Sequence, residues 1–153
     1  MILKNNLQIC QATLDDIPFL VPLLEQLFCI EKDFTFNAQK HTLGLTQLIN
    51  APERFVFIAK FEDEIIAMIT LQILISTVTG TKSGLIEDFV VNEEYKRLGV
   101  GTQLFEHLKG FALQQKLSRL QLVCDEDNHH AKAFYAHKQF KPSNLKAWYA
   151  SLE

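Results

Sequence analysis

The stretch EEYKRLGVGTQLFEHL, residues 93–108, places two glycines between a charged segment and an apolar pattern with helical spacing. Leu104, Phe105 and Leu108 share one face of the predicted helix. The start of a helix presents backbone N–H groups without acceptors and a partial positive charge. Glycine leaves that backbone open to close approach. The stretch therefore predicts an anion site at the start of a helix.

The segments around this stretch predict a single α/β domain over residues 1–153. Strands are expected at 7–13, 54–61, 64–77, 85–92, 119–125 and 146–152. Helices are expected after a cap at Thr13 or Asp15, before residue 50, from Gly101, and after a cap at Asp127 or Asn128. The turn Glu62-Asp63 is expected to join the second and third strands into a hairpin. The order βααβββαβαβ predicts an antiparallel first half followed by a parallel βαβ unit.

Composition restricts the possible partners. The chain has 48 % hydrophobic residues, 22 % charged residues and a net charge of −3, which gives no electrostatic basis for binding nucleic acid. The longest apolar run, residues 65–75, is too short to cross a bilayer, and the N-terminal sequence MILKNNLQIC lacks the apolar run of a signal peptide. Three cysteines without metal-type spacing predict free or buried thiols. We therefore expect a cytoplasmic protein that binds neither nucleic acid nor membrane.

Two phosphate-binding motifs fit the glycines poorly. A P-loop requires the spacing G-x-x-x-x-G-K-[ST], which no glycine of this chain provides. A dinucleotide-binding turn is closer, because Asp125 ends the next predicted strand. However, Leu104 stands where the third glycine belongs, and a long segment separates the strand from Gly99. A dinucleotide-binding βαβ protein is therefore the weaker alternative.

The segment VNEEYKRLGVG, residues 91–101, resembles the acetyl-CoA-binding motif of the GNAT superfamily of N-acetyltransferases, commonly V-x-P-x-Y-[RQ]-x-x-G-x-[GA]. The matching residues are Val91, Tyr95, Gly99 and Gly101. Lys96 stands where the family has Arg or Gln, which keeps a charge but loses planar hydrogen bonding.

A second segment, DEDNHHAKAFYAHKQF at 125–140, resembles the family's N-x-x-A-x-x-F-Y-x-x-x-G-F. The matching residues are Asn128, Ala131, Phe134, Tyr135 and Phe140. Gln139 stands where glycine is usual. The element order is also similar to the GNAT fold, which implies a central mixed sheet, splayed at the cofactor strand, with helices on both faces.

The resemblance implies that acetyl-CoA is the acetyl donor. Backbone N–H groups at the helix start would hold its pyrophosphate, and the pantetheine arm would pair with the preceding strand as an added strand does. The cofactor-binding residues implied in this way are Phe89, Val90, Val91, Lys96, Arg97, Leu98, Gly99, Val100, Gly101, Thr102, Asn128 and Tyr135.

Acetyl transfer to an amine needs a base, a site for the oxyanion and an acid. Glu87 and Asp88 lie at the head of the pantetheine strand, and strand alternation predicts that they face opposite ways. Glu87 is the favoured base and Asp88 the alternative, with a backbone N–H near Val90 or Val91 for the oxyanion. The resemblance implies that Tyr135 protonates the thiolate of coenzyme A, and the reaction needs no metal.

The loop between the first two helices lines the acceptor site in this family. Here the loop and its flanks offer Phe28, Glu31, Asp33, Phe34 and Phe36. Acidic and aromatic side chains together suit a cationic amine on a small molecule or a protein. A homodimer is compatible with this function. The alternative function is a non-catalytic acetyl-CoA-binding module, and the glycines, the asparagine and the tyrosine of the two motifs also have purely structural interpretations.

Overall fold

The computed structural model describes residues 6–152. These residues form a five-stranded sheet in the order β1-β2-β3-β4-β5. The strands are β1 Gln8–Gln11, β2 Arg54–Phe61, β3 Glu64–Ser76, β4 Thr81–Val91 and β5 Leu120–Gln121. The pairs from β1 to β4 are antiparallel, and β4 pairs with β5 in parallel. The predicted change from an antiparallel half to a parallel unit is confirmed.

The helices follow the predicted order. They are α1 Ile17–Phe28, α2 Ala38–Asn50, α3 Val100–Gln114 and α4 His129–His137, with 3-10 turns at Leu14–Asp16 and Glu93–Tyr95. No helix in the described part of the chain is both long enough and apolar enough to cross a membrane.

The chain divides into two compact units, one ending at Leu122 and the other beginning at Val123. The first unit contains the sheet and α1 to α3, and the second contains α4. A single domain over residues 1–153 stays a prediction, and its first five residues and its last residue lie outside the described part.

The hairpin between β2 and β3 is confirmed. Its two turn residues, Glu62 and Asp63, have φ angles of 47° and 68°. Positive φ at both positions is the mark of a type I′ turn, whose twist matches that of the flanking strands. The turn pairs Phe61 with Glu64 and Lys60 with Ile65, and the register then shifts by one residue between Lys60 and Ala59.

Each face of the sheet packs against helices of the first unit. On one face, side chains of α1 and α2 form the main core with Val56, Ile58, Met68 and Val90. On the other face, Phe55 and Phe57 lie 4.6 Å and 5.1 Å from the Phe111 ring of α3, measured between ring centroids. The opposite directions of consecutive β2 side chains explain this division.

Several strand predictions are wrong in extent or existence. β1 contains Gln8–Gln11 instead of 7–13, and β4 begins at Thr81 instead of residue 85. β5 contains only Leu120–Gln121 instead of 119–125, and residues 146–152 form no strand in the described structure. Trp148 is 92 % exposed. A strand requires a neighbouring backbone to receive its hydrogen bonds, and an apolar alternating pattern does not contain that information.

None of the three cysteines is in a disulfide, and none is buried. Cys10, Cys29 and Cys124 are all exposed. The alternative of buried thiols is therefore wrong.

Candidate active site

The candidate site begins at an irregularity in the pairing of β3 with β4. Thr70 is opposite Glu87 and Met68 is opposite Val90, so two residues of β4 face a single residue of β3. This is a β-bulge, and its first residue, Asp88, has the left-handed φ angle of 48°. A bulge at such a position redirects the side chains that it carries.

The bulge places both predicted carboxylates on the same face of the sheet. Gln72 Nε2 donates to Glu87 Oε2 at 3.2 Å, and the Thr70 hydroxyl donates to Asp88 Oδ2 at 3.5 Å. Thr70 and Gln72 are two residues apart on β3 and therefore share a face. The expectation that Glu87 and Asp88 face opposite ways is wrong, because the extra residue interrupts the alternation on which it rests.

Asp88 has the more unusual electrostatic environment. Burial raises the pKa of its carboxyl to about 6, and the negative charges of Glu87 and Glu31 act in the same direction. The hydrogen bond from Thr70 opposes them. Glu87, in contrast, is exposed. Asp88 is thus a carboxylate whose pKa lies close to neutrality, as is typical of groups that exchange protons in catalysis.

The loop between α1 and α2 reaches the neighbourhood of Asp88. Glu31 belongs to this loop, is half-buried, and is near enough for its charge to raise the pKa of Asp88. Asp33 and Phe34 are exposed. The sequence predicts the loop and the strand as separate parts of a site, and the structure brings one residue of each together.

Three aromatic residues, two in the loop and one at the end of α1, form a cluster with a residue that the sequence did not indicate. The Phe28 and Phe36 rings stack on the His41 ring, with centroids 4.6 Å and 5.1 Å away, and Phe34 lies edge-on to Phe28 at 6.4 Å. Burial lowers the pKa of His41. A lone histidine near a helix start carries no recognisable sequence pattern, so only the fold reveals its place.

The glycine segment leads into α3 as predicted. Gly99 is the N-cap residue and has a φ angle of 87°, which favours glycine strongly. Gln103 N–H donates to the Gly99 carbonyl at 3.1 Å. The N–H groups of Val100, Gly101 and Thr102 precede this first helical bond and have no acceptor within the helix. They are therefore available to an anion.

Gly101 faces the end of β4. A Cβ at this position would lie 3.4 Å from Val91 Cγ2 and 3.5 Å from Phe89 Cζ, which are ordinary contact distances. The packing of α3 on β4 therefore has room for a Cβ at this position.

The motif residues before Gly99 are held in place locally. The Tyr95 hydroxyl donates to Glu64 Oε2 at 2.9 Å, and Lys96 forms an ion pair with Glu93. Arg97 is exposed and has a left-handed φ angle of 63°. Tyr95 thus ties the segment to the start of β3, while the left-handed backbone of Arg97 belongs to the turn that leads to the helix.

Replacing each glycine with alanine should separate their roles. We expect Gly99→Ala to lower the free energy of unfolding by about 1–2 kcal/mol, because alanine is strained at this left-handed φ angle. We expect Gly101→Ala to change it by less than about 0.5 kcal/mol, because its Cβ fits. Urea unfolding followed by circular dichroism measures both. An equal loss in the two variants would contradict the assignment of the backbone constraint to Gly99.

At the end of β4, one backbone N–H group points away from β3. Asn92 N–H donates to the Ile66 carbonyl of β3 at 2.8 Å. Because successive N–H groups along a strand point to opposite sides, Val91 N–H points away from β3. On that side, the ladder between β4 and β5 consists of the pairs at Gly84 and Leu85 only. The sheet is thus splayed at the strand that the resemblance assigns to the cofactor.

In the second unit, α4 carries the other motif. Asn128 is its N-cap residue, and the side-chain oxygen accepts from Ala131 N–H at 3.0 Å. The Tyr135 ring packs edge-on to Phe140 at 5.7 Å, and Gln139 has a left-handed φ angle of 69°. The cap and the ring packing agree with the structural interpretations, while the roles of Asn128 and Tyr135 toward the cofactor stay predictions.

Across residues 6–152, no three His, Cys, Asp or Glu side chains are grouped so that they could hold a metal ion.

The sequence matches the acetyltransferase (GNAT) family model over residues 22–140. No curated protein matches it. An aminoglycoside acetyltransferase from an uncultured soil metagenomic sample is similar in structure, with a TM-score of 0.82, 23 % identity and 99 % of each chain covered.

Two further solved structures have similar folds. A possible acetyltransferase from Clostridium difficile 630 has a TM-score of 0.84 and 18 % identity, with 96 % of this chain and 98 % of that chain covered. Glucosamine-6-phosphate N-acetyltransferase from Arabidopsis thaliana has a TM-score of 0.75 and 17 % identity, with coverages of 94 % and 97 %. The predicted fold class is confirmed.

Proposed function

The chain belongs to the GNAT acetyltransferase family, and on that premise we propose that it transfers an acetyl group from acetyl-CoA to a primary amine of a small cationic molecule or protein. The transfer is direct, within a ternary complex. The observation that carries the proposal is Asp88, a half-buried carboxylate with a pKa of about 6 beside an acidic and aromatic loop.

Two features of the first unit fit acetyl-CoA. The free N–H groups at the start of α3, after the left-handed Gly99, suit the pyrophosphate. The N–H of Val91, which points away from β3, suits an amide of the pantetheine arm or the developing oxyanion. Val90 N–H points toward β3, so of the two predicted oxyanion donors Val91 is the better candidate.

Asp88 is the better candidate for the base, in place of the initially favoured Glu87. An alkyl amine with a pKa of about 10.4 is neutral to only about one part in a thousand near pH 7.4, so the enzyme must remove a proton. A carboxyl with a pKa of about 6 is ionised at that pH and is a stronger base than an ordinary aspartate. Glu87 is more exposed, and its negative charge assists by raising the pKa of Asp88.

The proposed step balances as follows. The acceptor's ammonium gives one proton to Asp88, and the nitrogen forms a bond with the acetyl carbonyl carbon. The carbon–sulfur bond then breaks, and the thiolate takes a proton from Tyr135, the acid that the family resemblance implies. The nitrogen loses its second proton, which restores the Tyr135 hydroxyl, and Asp88 releases its proton to solvent. The products are the acetylated amine and coenzyme A.

The acceptor loop favours a small molecule with more than one cationic group. Glu31 supplies negative charge near the proposed base, and Phe28 and Phe34 supply ring faces and edges. A solved structure of the aminoglycoside acetyltransferase holds sisomicin, and the shared fold supports a similar acceptor for this chain. Phe28, Glu31, Asp33 and Phe34 are therefore proposed to contact the acceptor.

Ligand-dependent thermal stability tests the donor. A ligand that binds only the native state stabilises it by about 2.7 kcal/mol at a hundred times its Kd, which for a chain of this size raises Tm by several degrees. We expect acetyl-CoA to raise Tm and coenzyme A to do nearly as well, because most contacts are to the shared portion. NAD and NADP serve as controls. A shift with NADH and none with coenzyme A would favour the dinucleotide alternative.

Mass spectrometry then tests the transfer. The purified protein, incubated with acetyl-CoA and a mixture of aminoglycosides, polyamines and lysine peptides, should produce at least one acceptor that is heavier by an acetyl group. Binding of acetyl-CoA without transfer to any amine would favour the non-catalytic binding module.

A further inference from the structure

Thr70 is a polar residue in the most apolar part of the sheet. It lies in the middle of β3 and is 0 % exposed, as are its neighbours Met68, Ile69 and Leu71. A buried hydroxyl without a partner destabilises a protein, and valine would fill the same volume without this cost. A threonine at this position is therefore explained by a nearby group that accepts a hydrogen bond from its hydroxyl.

That partner is Asp88. In the ladder, Thr70 is directly opposite Glu87, yet its hydroxyl donates to Asp88 Oδ2 at 3.5 Å, which is long for such a bond. The bulge turns the Asp88 side chain to the face on which Thr70 lies. The contact thus depends on the same irregularity that places the carboxylate in the candidate site.

Thr70 changes the pKa of Asp88 in the opposite direction from the other groups near this carboxyl. Glu87, on the same strand, and Glu31, on the loop after α1, both favour the protonated form of this carboxyl through their charges, as burial does. The Thr70 hydroxyl favours the ionised form. It is the contact that counteracts the acidic surroundings.

We infer that Thr70 is a positioning residue for the Asp88 carboxylate. It holds this carboxylate on the face of the sheet that carries Glu87, and it keeps the carboxylate ionised so that it can take a proton from the acceptor. This inference rests on the proposed role of Asp88 as the base. Thr70 itself contacts neither donor nor acceptor. Its effect reaches the reaction only through the carboxylate.

The test is an NMR titration of the protein labelled with ¹³C at the aspartate carboxyl carbons, which requires no acceptor. Asp88→Asn identifies the resonance of Asp88 by its disappearance. We expect Thr70→Val to raise the midpoint of that resonance by roughly half a unit to one unit, as loss of one hydrogen bond to a charged group implies. Thr70→Ser keeps the hydroxyl and should stay close to the wild type. Gln72→Leu is the matched control, because it removes the neighbouring contact to Glu87 and should move the midpoint less than Thr70→Val does.

An unchanged midpoint in Thr70→Val, or equal shifts in Thr70→Val and Thr70→Ser, would overturn the inference. Circular dichroism establishes that each variant is folded. If Thr70→Val does not fold, Thr70→Ala compared with Thr70→Ser tests the same hydroxyl.

Kinetics separate this inference from the proposed function. With an acceptor found by mass spectrometry, Thr70→Val should lower kcat/KM by about threefold to tenfold on the acid side of the pH profile and leave the alkaline plateau unchanged. Full activity of Asp88→Asn would overturn the role of Asp88 as the base, whatever the titration shows. A lost activity in Asp88→Asn with no change of the pH profile in Thr70→Val would overturn the role of Thr70 alone.

Discussion

Tyr135→Phe should lower kcat by roughly 10²–10⁴ while acetyl-CoA affinity stays almost unchanged. The substitution keeps the aromatic ring, which packs against Phe140, and removes only the hydroxyl that is proposed to protonate the departing thiolate. Single-turnover kinetics and calorimetric titration with acetyl-CoA measure the two quantities.

A donor with a more acidic leaving thiol provides the control. Its thiolate needs less protonation, so the loss caused by Tyr135→Phe should shrink with this donor if the tyrosine is the acid. A thioester that is merely misplaced would slow both donors alike. Equal kcat values for the variant and the wild type would remove Tyr135 from the mechanism and return it to a packing role.

Asp88→Asn should also lower kcat/KM by roughly 10²–10⁴ near pH 7, because the amide cannot take the acceptor's proton. The loss should diminish toward pH 9–10, where an increasing fraction of the acceptor is neutral in solution. Glu87→Gln is the matched comparison, since it removes a carboxylate from the same face of the sheet. A larger loss in Glu87→Gln than in Asp88→Asn would restore Glu87 as the base.

The same substitution should stabilise the protein at alkaline pH. The pKa of Asp88 is raised from 3.8 to about 6 in the folded protein, so the folded state holds this proton more tightly than the unfolded state does. Its contribution to stability is therefore present below about pH 4 and is lost as the pH rises through about 6. Asp88→Asn should exceed the wild type by as much as about 3 kcal/mol at pH 8 and match it near pH 4. Urea unfolding at the two pH values measures this, and an equal difference at both would contradict the environment assigned to Asp88.

Local patterns predicted most of the fold. The hairpin at Glu62-Asp63, the helix that follows the glycine segment and the start of α4 near Asn128 each depend on residues adjacent in sequence. The strand expected at 146–152 depends instead on a pairing partner elsewhere in the chain, and it was wrong. Patterns that are complete within one segment were predictable, whereas long-range pairing was not.

The candidate site was predicted as a set of residues but not as an arrangement. Strand alternation predicted that Glu87 and Asp88 face opposite ways, whereas the bulge places them on the same face. This bulge could not be recognised from the sequence, because its left-handed residue is an aspartate rather than a glycine. Thr70 was missed because its importance depends on burial in the sheet, and His41 because its stacking on Phe28 and Phe36 arises only in the fold. The proximity of Glu31 to Asp88 arises from the packing of a loop, which no spacing along the chain encodes.

The bulge has a consequence for how this sheet tolerates change in length. If Asp88 were deleted, one residue would remain between Glu87 and Val90, opposite the single Ile69 of β3. Every other pair of the ladder would keep its partner and its face, because one intervening residue on each strand restores the regular period of two. The residue proposed to take the proton is therefore an insertion that the sheet itself does not require. A strand of this kind can acquire or lose a reactive side chain through the insertion or deletion of one codon. The other side chains of the strand then stay on the faces of the sheet that they already occupy.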